Sequence, residues 1–171
     1  MTKPVVRAFT ALRAALYASV FIFGWGWLGF AVRPLDVSLG GPLPGWLPPV
    51  GAALFVVSAS LALSCVVLFV SRGKGTPAPF DAPREFVAQG PYRWTRNPMY
   101  VGGFGMLLGL AFVLRSPAVL LLVAAAAAVI HLFVVVYEEP TLKRQFGQAY
   151  EEYTRRVNRW LPRRPLRAAR Y

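Results

Sequence analysis

Four stretches of this chain are apolar, free of formal charge, and close in length to a helix that crosses a bilayer. No charged side chain lies between Arg13 and Arg33, and Ala14–Val32 supplies 19 positions, near the roughly 20 needed to span about 30 Å of hydrocarbon. The next charge-free interval runs from Asp36 to Arg72. Its first part holds Pro42, Pro44, Pro48 and Pro49 and reads as a turn, which leaves Val50–Val70 as the second span. Asn97-Pro98 opens the third, because the residue before a proline is pushed out of the α region while proline suits a first helical turn. Asn97 is then an N-cap candidate. The third span ends at Leu114 and is closed by Arg115, Ser116 and Pro117, and the fourth is Ala118–Tyr137. So short a connection predicts an antiparallel hairpin whose two helices pack as one unit.

Of the 171 residues 56% are hydrophobic and 15% charged, with a net charge of +12 and one cysteine. Those values exclude a disordered tail, a disulfide-stapled secreted scaffold and an ordinary soluble domain. A net charge this high also occurs in nucleic-acid-binding proteins, but the distribution of the charges gives another explanation. Basic residues number three before the first span (Lys3, Arg7, Arg13), five in Ser71–Arg96 and nine in Glu138–Tyr171, against only Arg33 and Arg115 in the other two connections. With four spans the three basic segments share one side, which the positive-inside rule makes cytoplasmic, both termini included. Attraction to anionic membrane lipids then accounts for the basic excess, and no nucleic-acid partner is called for. The beginning of the chain has signal-peptide character, but its apolar part exceeds the roughly 7–15 residues of such signals and no A-x-A-like site comes after it. It is expected to remain in the mature protein.

The predicted architecture is therefore all-α. It is an integral membrane helical bundle, a single domain over 1–171 with four transmembrane helices and a C-terminal amphipathic interfacial helix. Residues 14–71 form two N-terminal spans, and 72–162 comprise a loop, the hairpin and the C-terminal helix. That last helix carries Leu142, Phe146, Tyr150, Tyr153, Val157 and Trp160 at spacings of three and four, with Lys143, Arg144, Arg155, Arg156 and Arg159 beside them.

Gly24, Gly26 and Gly29 spell G-x-G-x-x-G, but the pattern lies inside an apolar span, and a dinucleotide site needs a strand before it and a helix start after it. Helix packing is the expectation there, as it is for Gly105 and Gly109. Cys65 reads as a small packing residue. No cluster of metal ligands stands out. The segment Ser71–Arg96 has no clear periodicity and is rich in Gly and Pro, and structureless connections of that length are usually functional or disordered. It leads into Tyr92, Arg96, Asn97 and Tyr100 at the membrane surface. His131 and Glu138 are seven residues apart and lie on nearly one face of a continuous helix. An ionisable side chain inside a span is a functional candidate. Glu138-Glu139 is out of place on a basic face, and its structural role is the first turn of the next helix.

Taken together, GPYRWTRNPMYVGG and EEPTLKRQFGQAYEEYTRRVNRWLP, separated by one helical hairpin, resemble the isoprenylcysteine carboxyl methyltransferase family. That family belongs to a larger membrane group which includes phospholipid N-methyltransferases; this chain looks like a bacterial-type member. The similarity covers roughly residues 72–162. It implies an enzyme that binds S-adenosylmethionine between the C-terminal hairpin and its flanks, and methylates a lipophilic small molecule or lipid entering from the bilayer. For a bacterial member it also implies the cytoplasmic membrane. The cofactor-contacting positions implied by the resemblance are Tyr92, Asn97, Pro98, Met99, Tyr100 and Glu138, with Arg84, Glu85, Phe86 and Val87 as a second contact segment. Arg96 matches the arginine of the motif and suits the cofactor's carboxylate. Two positions depart from the family pattern. Asn97 replaces a histidine, so no histidine base is available there. Val134 replaces the arginine that eukaryotic members place four residues before the first glutamate, which leaves nothing to hold an acceptor carboxylate. His131 then becomes the candidate for orienting or deprotonating a neutral or amine-bearing acceptor, and it is expected to face a buried cavity. Membrane sterol reductases are similar over the same half. An NADPH-dependent reductase is thus the competing enzyme, and a non-enzymatic lipid-binding protein the competing class.

Overall fold

A computed structural model describes residues 23–72 and 88–162, together with positions 12, 16, 19 and 20. The described residues are helical, without strands. Helix α1 (residues 23–32) ends in a 3-10 turn at Arg33–Asp36, and α2 covers Leu47–Arg72. After a second 3-10 turn at Gly90–Arg93 come α3 (Pro98–Val113) and α4 (Pro117–Phe133). A π-turn at Val134–Glu138 carries α4 into α5 (Glu139–Phe146), and α6 (Gln148–Arg156) comes last.

Two helices among the described residues are long and apolar enough to cross a membrane, Leu47–Leu68 and Pro117–Phe146. Each carries large apolar side chains on its outside, including Val57 at 68% exposure and Val129 at 64%. A soluble core helix would bury such residues; lipid does not require it. Helix α3 is apolar but has 16 residues, short of the roughly 20 needed, and α1 is described only in part. The expectation of four spans is thus met at two of them.

The closest packing is between α2 and α3, not within the expected α3–α4 hairpin, and the reason is the small residues the two helices share. A methyl group on Gly109 would meet the Gly51 carbonyl oxygen at 2.7 Å and the Phe55 amide nitrogen at 2.8 Å; one on Gly102 would meet the Ser58 carbonyl oxygen at 3.0 Å. A methyl on Gly105 would collide with the Ser58 side chain. Backbones come this near only where Cβ atoms are missing or small. The packing expected of Gly105 and Gly109 is present. Gly24 and Gly26, by contrast, have no neighbouring element within 4 Å of the position a Cβ would take among the described residues, and Gly29 there meets Leu110.

At the end of the bundle where α1 finishes, Asp36 anchors the α3–α4 turn. Its Oδ1 accepts hydrogen bonds from Ser116 Oγ (2.7 Å) and from the Ala118 amide (2.9 Å), while Ser116 Oγ caps α4 by accepting from Val119 N. A carboxylate at a helix N-terminus satisfies orphan amides and complements the helix dipole.

The C-terminal region differs from the single interfacial helix expected. Gly147 adopts φ +52°, a left-handed value that suits glycine, and breaks the run into α5 and α6. Tyr150, Tyr153 and Val157 form a buried cluster covered by Ala88, Leu142 and Phe146. The apolar spacing is therefore used, but to fold α6 back onto α5 and the entry to α3.

Candidate active site

The entry to α3, the π-turn and the stretch after α6 meet at the end of the bundle opposite Asp36. The segment around Asn158–Trp160 is held to the α3 entry through its main chain. Arg96 N donates to the Asn158 carbonyl (2.9 Å), and Thr95 Oγ1 and Asn97 Nδ2 both donate to the Arg159 carbonyl, at 2.9 and 3.1 Å. Asn97 occupies the N-cap position of α3 without making a side-chain cap, because its amide is engaged with Arg159 instead. Tyr153 OH donates to the Tyr92 carbonyl at 2.7 Å, which fixes α6 against the turn before α3.

Glu139 is the electrostatic hub. Arg159 donates to it bidentately, Nε to Oε1 at 2.7 Å and Nη2 to Oε2 at 2.9 Å, and Arg96 Nη1 lies 2.8 Å from Oε1. The hydrogen bonds to Glu139 hold the Arg159 proton more tightly than usual. Arg96 also hydrogen-bonds Tyr150, whose hydroxyl is pushed up to about 12 by burial and by the nearby Glu139 charge, with Arg96 opposing. Arg96 Nε remains buried with no hydrogen-bond partner among the described residues. A buried donor in that state costs free energy unless something satisfies it.

One residue earlier, the Glu138 carboxylate leaves the π-turn toward α3 and accepts from Tyr100 OH at 3.0 Å. A π-turn adds a residue to the helical turn and rotates the helix beyond it, and such turns are frequent at functional sites. Here it lets adjacent glutamates face different partners, Tyr100 for one and the two arginines for the other. Tyr92 lies near enough to Glu138 and Tyr100 to feel both, although burial is the main cause that raises its pKa, and its hydroxyl contacts Cys65 of α2. Cys65 is fully buried, as a packing residue should be.

Trp160 links this group to His131. Its Nε1 donates to His131 Nδ1 at 3.0 Å, and its ring meets Tyr100 edge-on at 6.4 Å between centroids. Among the described residues His131 lies on an exposed face of α4 with Trp160 against it, not in an enclosed cavity as expected. Since Nδ1 is an acceptor, the neutral ring carries its proton on Nε2.

The fold thus brings together Tyr92, Arg96, Tyr100, His131 and Glu138. Asn97 is buried and spent on Arg159, Pro98 is fully buried as packing, and Met99 is half-buried beside them. Val134 is fully buried at the start of the π-turn. Arg84, Glu85, Phe86 and Val87 lie outside the described residues. Sequence reasoning missed Glu139, Arg159 and Trp160 as site builders. The available signal was a glutamate pair on a basic face, which required two nearby cations for one of its members.

A model of the phospholipid methyltransferase family matches residues 48–149. The chain belongs to that family. The match takes in α2, the α3 entry, the α4–α5 helix and both glutamates, and it ends before Arg159 and Trp160. Among individual proteins, the nickel-cobalt-cadmium resistance protein NccN of Alcaligenes xylosoxydans xylosoxydans is 30% identical over 113 residues, covering 66% of this chain. The chain spans about half the length of that relative, 49%.

Proposed function

We propose that the protein transfers the methyl group of S-adenosylmethionine to a lipophilic small molecule or lipid where the bundle meets the cytoplasmic face of a bacterial membrane. The observation that carries this reading is the Tyr100–Glu138 pair beside Tyr92, inside the part of the chain that matches a methyltransferase family. The side chains present suit the donor's polar groups. Glu138 has an oxygen free of protein partners among the described residues and accepts well from an ammonium. Arg96 Nε, without a partner among the described residues, is a donor for a carboxylate. The rings of Tyr92, Tyr100 and Trp160 offer faces for adenine. When bound, S-adenosylmethionine supplies a methyl already activated on a sulfonium, so the work left to the protein is alignment and exclusion of water. On this reading Arg84, Glu85, Phe86 and Val87 supply further contacts to the donor. Membrane lipids surround the bundle, and α1 and α3 complete four spans, with both termini on the cytoplasmic side where 17 of the 19 basic residues fall.

The acceptor in this proposal is neutral or amine-bearing. A carboxylate needs a cation where Val134 stands, and Val134 is wholly buried. His131 reaches the lipid-facing side with Nε2–H outward and Nδ1 taken by Trp160. It therefore orients an acceptor by donating, and it acts as a base only after parting from Trp160. Membranes given labelled methyl donor and, in turn, a lipid amine, a lipid phenol and a farnesylcysteine analogue test the assignment. Label is expected in the amine or phenol product and lost in Glu138→Ala. Saturable methyl-ester formation on the farnesylcysteine analogue, indifferent to His131→Ala, refutes the acceptor class; no transfer to any of them by protein that binds no donor refutes the methyltransferase reading.

A further inference from the structure

We infer that the end of the bundle remote from Glu138 carries a binding site for the phosphate of an anionic phospholipid. The inference rests on the membrane-spanning reading and not on methyl transfer. Seventeen basic residues belong to three segments of the chain, and the remaining two, Arg33 and Arg115, stand apart from them in sequence. In the fold these two meet: both line one open cavity of about 470 Å³, together with Phe30, Pro34, Val37 and Leu114. That volume is within the range of roughly 300–1,000 Å³ typical of small-molecule sites.

The charges in this cavity favour an anion. Asp36 is its only acid among the described residues, and Asp36 Oδ1 is taken by Ser116 Oγ and the Ala118 amide. Neither arginine has a carboxylate partner among the described residues. The Arg33 guanidinium sits 6.0 Å over the Phe30 ring, and Arg115 spends Nε on the Leu43 carbonyl at 2.7 Å. The terminal nitrogens of both are left as donors, the geometry in which guanidinium groups take phosphate. Arg115 also holds φ +53°, in the left-handed region where glycine would be relaxed. That conformation belongs to the turn that closes α3, where Ser116 N donates to the Ala111 carbonyl; what calls for a ligand of opposite charge is the meeting of two arginines at the end of the bundle with fewest cations. The rim separates a lipid from a free phosphate. Phe30 and Val37 are 59% and 86% exposed, and apolar side chains around an ion site give an acyl chain a surface that inorganic phosphate cannot use.

Native mass spectrometry of full-length protein released from nanodiscs of mixed phosphatidylcholine and phosphatidylglycerol tests this. Wild type is expected to retain phosphatidylglycerol over phosphatidylcholine. Arg33→Gln with Arg115→Gln lowers that retention about fivefold or more. Arg33→Gln alone, which breaks no hydrogen bond among the described residues, lowers it about two- to threefold. Arg144→Gln with Arg155→Gln, a matched loss of charge at the other end, removes only the diffuse attraction of a basic face to anionic lipid and lowers it less than about twofold. Equal retention by wild type and the Arg33/Arg115 variant, or an equal loss in the matched control, overturns the site. Displacement of the lipid by millimolar inorganic phosphate overturns the lipid assignment in favour of a free phosphate. Because lipid retention is the readout, failure of methyl transfer leaves this test intact.

Discussion

Replacing Glu139 with alanine should unfold the site end of the bundle more readily than any other single change there. Glu139 and Arg96 have side chains only 17% and 14% exposed, and Arg159 is 30% exposed. Removing the acid leaves the Arg96 guanidinium buried without a counterion, a situation worth about 3–5 kcal/mol. Arg159→Ala is milder. It deletes two charge-assisted hydrogen bonds, but Glu139 keeps Arg96, and the Arg159 carbonyl keeps Thr95 and Asn97. A partly exposed pair is also discounted for solvent screening, which puts this variant at about 1–2 kcal/mol. The two substitutions share a contact, so the double variant should fall short of the sum by about 1–2 kcal/mol. Unfolding by sodium dodecyl sulfate in mixed micelles, followed by tryptophan fluorescence, measures all three. A Glu139→Ala protein within about 0.5 kcal/mol of wild type, or one less affected than Arg159→Ala, would show that the hub does not hold the C-terminal segment.

Helix packing should depend on which glycine is changed. Gly109→Ala meets backbone atoms of α2 at under 3 Å and should destabilise by about 2 kcal/mol or more, whereas Gly24→Ala meets open space among the described residues and should stay within about 0.5 kcal/mol in the same unfolding assay. On the acceptor side, His131→Ala should lower methyl transfer by roughly tenfold or more with donor affinity unchanged; a matching loss of affinity for S-adenosylhomocysteine would move His131 to the donor site. For topology, a cysteine placed at Thr76 in a Cys65→Ala background should resist an impermeant reagent in intact cells, and strong labelling from outside would contradict the four-span arrangement.

The parts of the fold that were legible in the chain are those written by local rules. Four proline-containing or charge-bounded edges predicted α2 and α3 to within a few residues, since a proline before a helix and the end of an apolar run act on their own neighbours. That Tyr100 and Glu138 come together was readable from two motifs flanking one hairpin. What escaped was set by distant contacts. Helix α2 packs on α3 through Gly51, Ser58, Gly102, Gly105 and Gly109, and nothing local tells which small-residue face meets which. The three-and-four spacing from Leu142 to Trp160 survives the break at Gly147, because α6 uses the same apolar residues after folding back. Periodicity therefore described the burial and missed the bend. The π-turn is likewise unmarked in sequence: Val134–Tyr137 is ordinary helix material, and the extra residue is understood only once Glu138 and Glu139 are seen with separate partners.

The central claim is that Glu138, held by Tyr100, binds the methyl donor, and calorimetric titration of purified protein with S-adenosylhomocysteine tests it most directly. Wild type should bind saturably at one site. Glu138→Ala removes a hydrogen bond to a charged group, about 1.5–3 kcal/mol, and so should weaken binding by roughly ten- to a hundredfold or slightly more. Tyr100→Phe should weaken it less, since the carboxylate stays. A folded Glu138→Ala protein that binds S-adenosylhomocysteine as tightly as wild type, or a wild-type protein that does not bind it, would contradict the account.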